Sequence, residues 1–219
     1  TSLWGEPICI GFGSKDFKVK EIERNLANNL IVKNHYSKKY FNNSYIHLGV
    51  YIEEKLAGVL QYGHLLNNNS ISKIVKNTKK LEAIELNRMW IKDNVGKYPE
   101  SKAISYSIKY LKKRYKNIKW IQTFADERCG GFGIVYQACS FNYYGEHIAK
   151  FFTDGKTYYH NIQVTAKREK AGVQVKDKSK LTEVRLRQFR YIKFIDKREK
   201  KNCLLKEMPY PKHYKEKVK

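Results

Sequence analysis

An aspartate that ends an apolar run and opens onto glycines is the chain's first candidate for chemistry. The run is Ile118-Lys119-Trp120-Ile121-Gln122-Thr123-Phe124-Ala125-Asp126, and Glu127-Arg128-Cys129-Gly130-Gly131-Phe132-Gly133 follows at once. Crowded β-branched and aromatic residues predict a buried strand. Asp126 then sits at the strand's C-terminal end, where open α/β sheets hold ligands. A carboxylate there can accept a hydrogen bond and later a proton; its plainer role is to cap the turn. Arg88 lies inside a second apolar run, 81–91, and a charge embedded in a sheet needs a ligand or a partner. Its options are an anionic substrate group, Asp126, or an ion pair with Glu85 or Glu82. His35 and Tyr36 close a predicted helix. They suit substrate contact, and imidazole, phenolate and carboxylate together could also bind iron, with Tyr36, His35 and Asp126 as the ligand candidates. The alternative is a histidine that caps the helix. Cys129, beside Arg128, has nucleophile chemistry available, but small-residue packing is the stronger reading.

The elements that must position these residues follow from periodicity. Phe17 to Ile22 predicts a strand, and Leu26, Leu30 and Ile31 give 23–35 helical spacing. Runs at 46–52 and 56–62 predict a hairpin across Glu53-Glu54-Lys55. After the strand at 81–91, the segment 101–116 is the clearest helix, with Ile104, Ile108, Leu111 and Tyr115 on one face. Residues 134–140 predict a short helix. Strands are expected at 141–147, at 151–165 with Asp154-Gly155 as a turn, and at 188–195. This order predicts an α/β (α+β) fold: a mixed, mostly antiparallel sheet with helices on both faces and two parallel crossovers. The domain reading is an N-terminal arm over 1–16, a catalytic domain over 17–196 with a basic insertion near 166–187, and a basic tail over 197–219.

The chain has 219 residues and a formal charge of +23, from 44 lysines and arginines against 21 acids. That field attracts polyanions, nucleic acid above all. The alternative is a lysine-rich surface that is merely solvated; 17 tyrosines interleaved with the cations favour bases to stack on. Residues 166–219 hold 19 lysines and arginines against 7 acids, a net of +12. The four cysteines have no paired spacing, which argues against a zinc site or disulfide framework and fits a reducing cytoplasm. No apolar run approaches the roughly 20 residues of a membrane helix.

Six segments occur here in the order seen in phage Mom-type DNA-modification proteins. They are His35-Tyr36-Ser37, Ile46-His47-Leu48-Gly49-Val50, Glu85-Leu86-Asn87-Arg88-Met89, Lys119-Trp120-Ile121 with Phe124-Ala125-Asp126, Gly133 to Phe141, and Gln188 to Phe194 followed by Pro209-Tyr210-Pro211. The chain resembles that family over about 31–211, with 142–187 unanchored. The resemblance implies a GNAT-like acyltransferase fold, in which acyl-CoA lies where two strands splay. It also implies transfer of a carbamoylmethyl group to the exocyclic amine of adenine in double-stranded DNA, protecting phage DNA from host restriction in the host cytoplasm. Asp126 would then orient or deprotonate the amine, with Arg88, Tyr36 and His35 around it and Tyr136 protonating the departing thiolate. The acyl-CoA (acetyl-CoA) phosphates would meet Lys97, Ser101, Lys102 and Ala103, although one glycine, Gly96, stands where the fold's cradle has several. DNA contacts are expected from Lys167, Arg168, Arg185, Arg187 and Arg190, with base flipping bringing adenine onto Tyr36, Tyr62 or Trp90. The competing readings are a GNAT N-acyltransferase acting on a protein or small-molecule amine, and a DNA-binding protein without catalysis.

Overall fold

A computed structural model describes residues 11–129, 131–161, 164 and 177–211. Most of the expected arm, Lys167, Arg168 and the end of the tail therefore lie outside the described residues. Nine strands form one sheet in the order β1-β2-β3-β4-β5-β6-β9-β7-β8. They are β1 (Gly11–Gly13), β2 (Phe17–Glu21), β3 (Ser44–Ile52), β4 (Lys55–Gly63), β5 (Ala83–Ile91), β6 (Trp120–Asp126), β7 (Asn142–Thr153), β8 (Tyr158–His160) and β9 (Thr182–Phe194). The helices are α1 (Arg24–Asn34), α2 (Ile71–Ile74), α3 (Pro99–Arg114) and α4 (Ile134–Ala138).

One expectation needs correction. Only β5 and β6 pair in parallel, so the described chain has one parallel crossover, through α3, rather than two. The connection through α1 joins β2 and β3, which are antiparallel neighbours.

The alternation of side chains in β4 divides the core. Leu60 packs in the large cluster with Ile104 and Leu111 of α3. Its neighbour Val59 points the other way, onto Ala27 and Ile31 of α1. Helices therefore cover both faces, as the sequence pattern predicts. Beyond α1 on its face, α2 and Leu65 pack on Ala83, Trp120 and Ile192.

What matters for a site is that β5 and β6 pair over three residues only, Ala83↔Trp120, Ile84↔Ile121 and Glu85↔Gln122. Past Glu85 the strands separate, and a gap opens between Leu86–Met89 and Phe124–Asp126. β6 keeps its other edge closed, pairing with β9 as far as Asp126↔Gln188. An interior strand held on one side and released on the other leaves its last carboxylate facing a cleft.

Two expected boundaries also move. Residues 141–165 were expected to break near 148–150, but β7 runs unbroken over Asn142–Thr153, with an irregularity between Tyr143 and Glu146. Residues 182–187 belong to β9 rather than to an insertion. Their charges obscure the strand because Glu183, Arg185 and Arg187 fill one face, while Val184 and Leu186 on the other pair with Phe151 and Ala149. The charged face is satisfied by ion pairs: Lys150–Glu183 across the strands at 2.7 Å, and Arg187 with Glu127 of the turn after β6 at 2.7 Å. The start of the basic tail is docked, through the bridge Val75↔Cys203 and a hydrogen bond from the Tyr210 hydroxyl to the Phe141 carbonyl at 2.8 Å.

Candidate active site

The gap holds a pocket of about 340 Å³ lined by His35, Tyr36, Leu86–Met89, Phe124–Asp126, Cys129 and the α4 segment to Tyr136. Residues from four separate segments thus meet: the end of α1, β5, the end of β6 and α4. Of the five residues expected to be catalytic, Asp126, Arg88, Tyr36, His35 and Tyr136, all line it.

Asp126 is buried and almost saturated with donors. The Arg128 backbone N–H reaches Oδ1 at 3.0 Å, and its Nε lies 2.9 Å from both oxygens. A terminal guanidinium nitrogen closes the fork on Oδ2, and Gln188 Nε2 approaches Oδ2 at 3.4 Å. Burial works to raise the carboxyl pKa, but the hydrogen bonds and charge of Arg128 outweigh it and hold the group below its ordinary value. The guanidinium is fixed in turn between two rings, 5.3 Å from Tyr36 and 4.2 Å from Phe151. A carboxylate so held is ionised and weakly basic. Its chemistry is to orient an N–H donor, in place of the long Gln188 contact, and to take a proton once that nitrogen has become acidic.

Sequence reasoning passed over Arg128, treating it only as a neighbour of Cys129. The available signal was the Asp126-Glu127-Arg128 spacing at a strand end, which returns the arginine onto the aspartate through a single turn. Glu127 is taken by Arg187, whose backbone N–H and guanidinium both reach it.

Arg88 donates from Nε to the Lys39 carbonyl at 3.0 Å and from a terminal nitrogen to the Asn87 carbonyl at 2.7 Å. It forms an ion pair neither with Asp126 nor with Glu85 or Glu82. Lys119 pairs with Glu82 at 3.1 Å, while Gln122 and Asn87 hold Glu85. Arg88 therefore ties the segment after α1 to β5, which places His35 and Tyr36 over the gap.

His35 is buried, and desolvation, reinforced by Arg88, Arg128 and Lys38, lowers its pKa to about 3. The Ser37 backbone N–H donates to Nδ1 at 3.1 Å. An N–H can only donate, so Nδ1 is the bare nitrogen and the neutral ring carries its proton on Nε2. The His35 ring lies 4.2 Å from that of Tyr36. Tyr36 is half-exposed at the pocket rim, and loss of solvation pushes its hydroxyl pKa well up.

Gly133 starts α4 with φ of 83°, and a Cβ there would stand 2.5 Å from the Tyr191 ring. That close approach holds α4 against the sheet and Tyr136 in the pocket, 5.6 Å from the Tyr191 ring. Burial raises the Tyr136 pKa, so its phenol stays protonated and can donate. Burial also raises the Cys129 thiol, which disfavours the thiolate a nucleophile needs.

The residues do not fit a metal. Arg128 occupies both Asp126 oxygens, two guanidinium groups flank the pocket, and no three His, Cys, Asp or Glu side chains gather anywhere among the described residues. The start of α3 is equally poor as a phosphate cradle. Pro99 supplies no N–H, the Ser101 hydroxyl bonds to the Tyr98 carbonyl, and the Lys102 ammonium lies 4.6 Å over the Phe17 ring. Ala103 is fully buried; Lys97 is exposed beside Gly96, which borders open space.

Among the expected DNA contacts, Arg185 is exposed beside Glu183, Arg187 is paired with Glu127, and Arg190 points along the face of the sheet next to Phe124. Tyr62 is not available for stacking: it is fully buried, with its hydroxyl 2.6 Å from Ser107. Trp90 packs against the α1 cluster, and His47 bonds to Gln61 at 3.2 Å as an interior residue.

Comparison with known proteins adds three findings. The model of the Mom protein family matches residues 16–212. The methylcarbamoylase Mom of Escherichia phage Mu is 41% identical over 209 residues, covering 93% of this chain and 87% of that one. The solved structure of a ribosomal-protein-S5-alanine acetyltransferase from Vibrio fischeri superposes with a TM-score of 0.50 at 14% identity, over 86% of this chain and 98% of that one. The GNAT-like acyltransferase fold is the one found.

Proposed function

Because the chain belongs to the Mom protein family, we propose that it is a transferase that modifies adenine in phage DNA at the exocyclic amine with a methylcarbamoyl-type group. The observation that carries this reading is the near full-length relationship to a methylcarbamoylase. The geometry supports it: an ionised, oriented carboxylate faces a pocket at the point where two parallel strands part.

The adenine amine is conjugated into its ring and is a weak nucleophile. Asp126 accepts one of its hydrogens, which fixes the nitrogen toward the donor carbon. The N6–C bond forms, the bond from that carbon to its leaving group breaks, and the now acidic N6 proton passes to Asp126. The protonated Tyr136 hydroxyl is suited to neutralise the leaving group. Neutral His35 presents an N–H rather than a base, so it serves as a donor or a wall.

The expected carbamoylmethyl group and the methylcarbamoyl group named for the relative are isomers. The first is attached through a methylene, the second through a carbonyl. A carbonyl is the electrophile an acyltransferase fold is built to meet. The donor belongs in the β5–β6 gap. Acyl-CoA is the fold's usual donor, but the start of α3 lacks the usual phosphate cradle, and no step here depends on it.

Double-stranded DNA is the proposed partner, drawn by the charge of +23. The target base must leave the stack to reach the pocket. The deciding experiment is nucleoside mass spectrometry on plasmid DNA from cells expressing the wild type or Asp126→Asn. The expected result is a heavier adenosine in the first and none in the second, with DNA binding kept in both. Unmodified DNA from cells with soluble wild-type protein would tell against this reading and for an acyltransferase of other amines.

A further inference from the structure

Arg88 lines the pocket, and Arg128, Arg187 and Arg190 lie beside residues at the β6 end that bounds it; three of the four are satisfied. Arg128 is forked on Asp126, Arg187 on Glu127, and Arg88 on two backbone carbonyls. Arg190 differs. It makes no hydrogen bond and no ion pair with any described residue, and its Nε is buried without a partner. Its guanidinium carbon lies 5.4 Å from the centre of the Phe124 ring, and Phe124 lines the pocket. A buried N–H donor on a half-buried guanidinium is costly unless something else supplies the acceptor.

The surroundings say what that something is. Arg190 is the register partner of Phe124, one pair along from Asp126↔Gln188 on the same face. The diagonal across the two strands places it roughly 7–8 Å from the aspartate, within the reach of one extended side chain. The buried carboxylate of Glu85 acts on Arg190 electrostatically without forming an ion pair, and itself accepts from Gln122 Nε2 at 3.0 Å and Asn87 Nδ2 at 3.2 Å. Gln122 Oε1 and His64 Nδ1 are likewise buried without partners among the described residues. A phosphate would want donors alone, and the buried carboxylate of Glu85 would repel it. A heterocyclic base presents acceptors and donors together, and the Phe124 ring offers it a stacking face.

Resting on the reading of this protein as an adenine modifier, we infer that Arg190 reads the acceptor edge of the extruded purine. It donates to a ring nitrogen beside the amine, N1 or N7, while Asp126 holds the amine itself. Arg190 is thus a specificity residue of the site rather than a contact to the outer DNA backbone. Guanine is rejected at the other end, where its O6 would face the Asp126 carboxylate.

The test needs only protein and oligonucleotides. Duplexes carry one target adenine, 1-deazaadenine or 7-deazaadenine opposite an abasic site, and affinities are measured by fluorescence anisotropy for the wild type and Arg190→Met. A hydrogen bond from a charged donor predicts a loss of roughly 10- to 100-fold for one of the two analogues with the wild type. Arg190→Met is expected to bind adenine about that much more weakly and to lose nothing further with that analogue. Equal wild-type affinity for all three bases would overturn the assignment, and this arm needs no variant to fold. So would an analogue penalty that persists in Arg190→Met. A loss in Arg190→Met that is the same for every base and vanishes at high salt would mark a phosphate contact instead. Nucleoside analysis of DNA from cells separates the two claims: modified adenine with no analogue effect removes only the role of Arg190, whereas unmodified DNA removes the enzymatic reading.

Discussion

Replacing Arg128 by methionine removes the cation that keeps Asp126 ionised while leaving similar bulk between Tyr36 and Phe151. The Asp126 side chain is 7% exposed and that of Arg128 16%, so the pair is close to a buried one. Breaking a buried pair from one side costs about 3–5 kcal/mol. The pocket admits water to one edge, and the Arg128 N–H and Gln188 remain as donors, so about 2–3 kcal/mol is the better figure here. For a domain of this size that lowers Tm by roughly 4–12 °C at pH 7. The pH dependence is the sharper readout. In the wild type the Asp126 pKa is depressed on folding, so its contribution is present above the unfolded carboxyl value and fades as pH falls through the folded one. In Arg128→Met burial acts unopposed by the guanidinium, the folded pKa rises, and the sign reverses: the variant loses stability as the carboxyl ionises. The Tm gap between the two proteins must therefore be widest near neutrality and narrow toward pH 3. Thermal melts followed by circular dichroism between pH 3 and 8 measure it. A gap that stays constant with pH would refute the claim that Arg128 governs this carboxylate. Recovery of stability in Arg128→Met with Asp126→Asn would support it, because the double variant buries no charge.

Three further outcomes are expected. Nitrogen-15 NMR of His35 should show the Nε2–H tautomer at neutral pH and no titration near 6.5; because its folded pKa is lowered to about 3, it should cost stability as pH falls below the unfolded value, and a resonance titrating near 6.5 would contradict this. Fragmentation of the modified nucleoside should release methylamine or methyl isocyanate, as a carbonyl-linked group requires, whereas loss of ammonia would indicate the methylene-linked isomer of the same mass. Arg88→Lys should weaken modification about 10-fold or more and loosen the segment after α1, seen as faster amide exchange at 36–41, because one ammonium cannot hold the Lys39 and Asn87 carbonyls as the fork does; unchanged exchange would count against the staple.

Local pattern was enough for most of the elements and for singling out Asp126 at the end of its strand. Local periodicity suffices for α3, for the β3–β4 hairpin and for the strand ending at Asp126, because each is a pattern a few residues long. The family resemblance brought His35, Tyr36, Arg88 and Tyr136 to the same pocket. What it did not yield was who holds whom. Arg88 had an anionic substrate group, Asp126, Glu85 and Glu82 as its options, yet it binds the carbonyl of a residue 49 positions away. Arg190 was one of five expected DNA contacts, and register with Phe124 sets it on the same sheet face as Asp126, a placement no local pattern gives. The first residues of β9 were hidden because three charges in 183–187 read as a solvated segment, although Val184 and Leu186 alternate with them and pair with Phe151 and Ala149. Polar pairing in a sheet is set by register and by where neighbouring strands part, and both depend on contacts distant in sequence. Only the tertiary structure could decide that Asp126 is gripped by Arg128 and that Arg190, alone among the described arginines around the pocket, has no partner there.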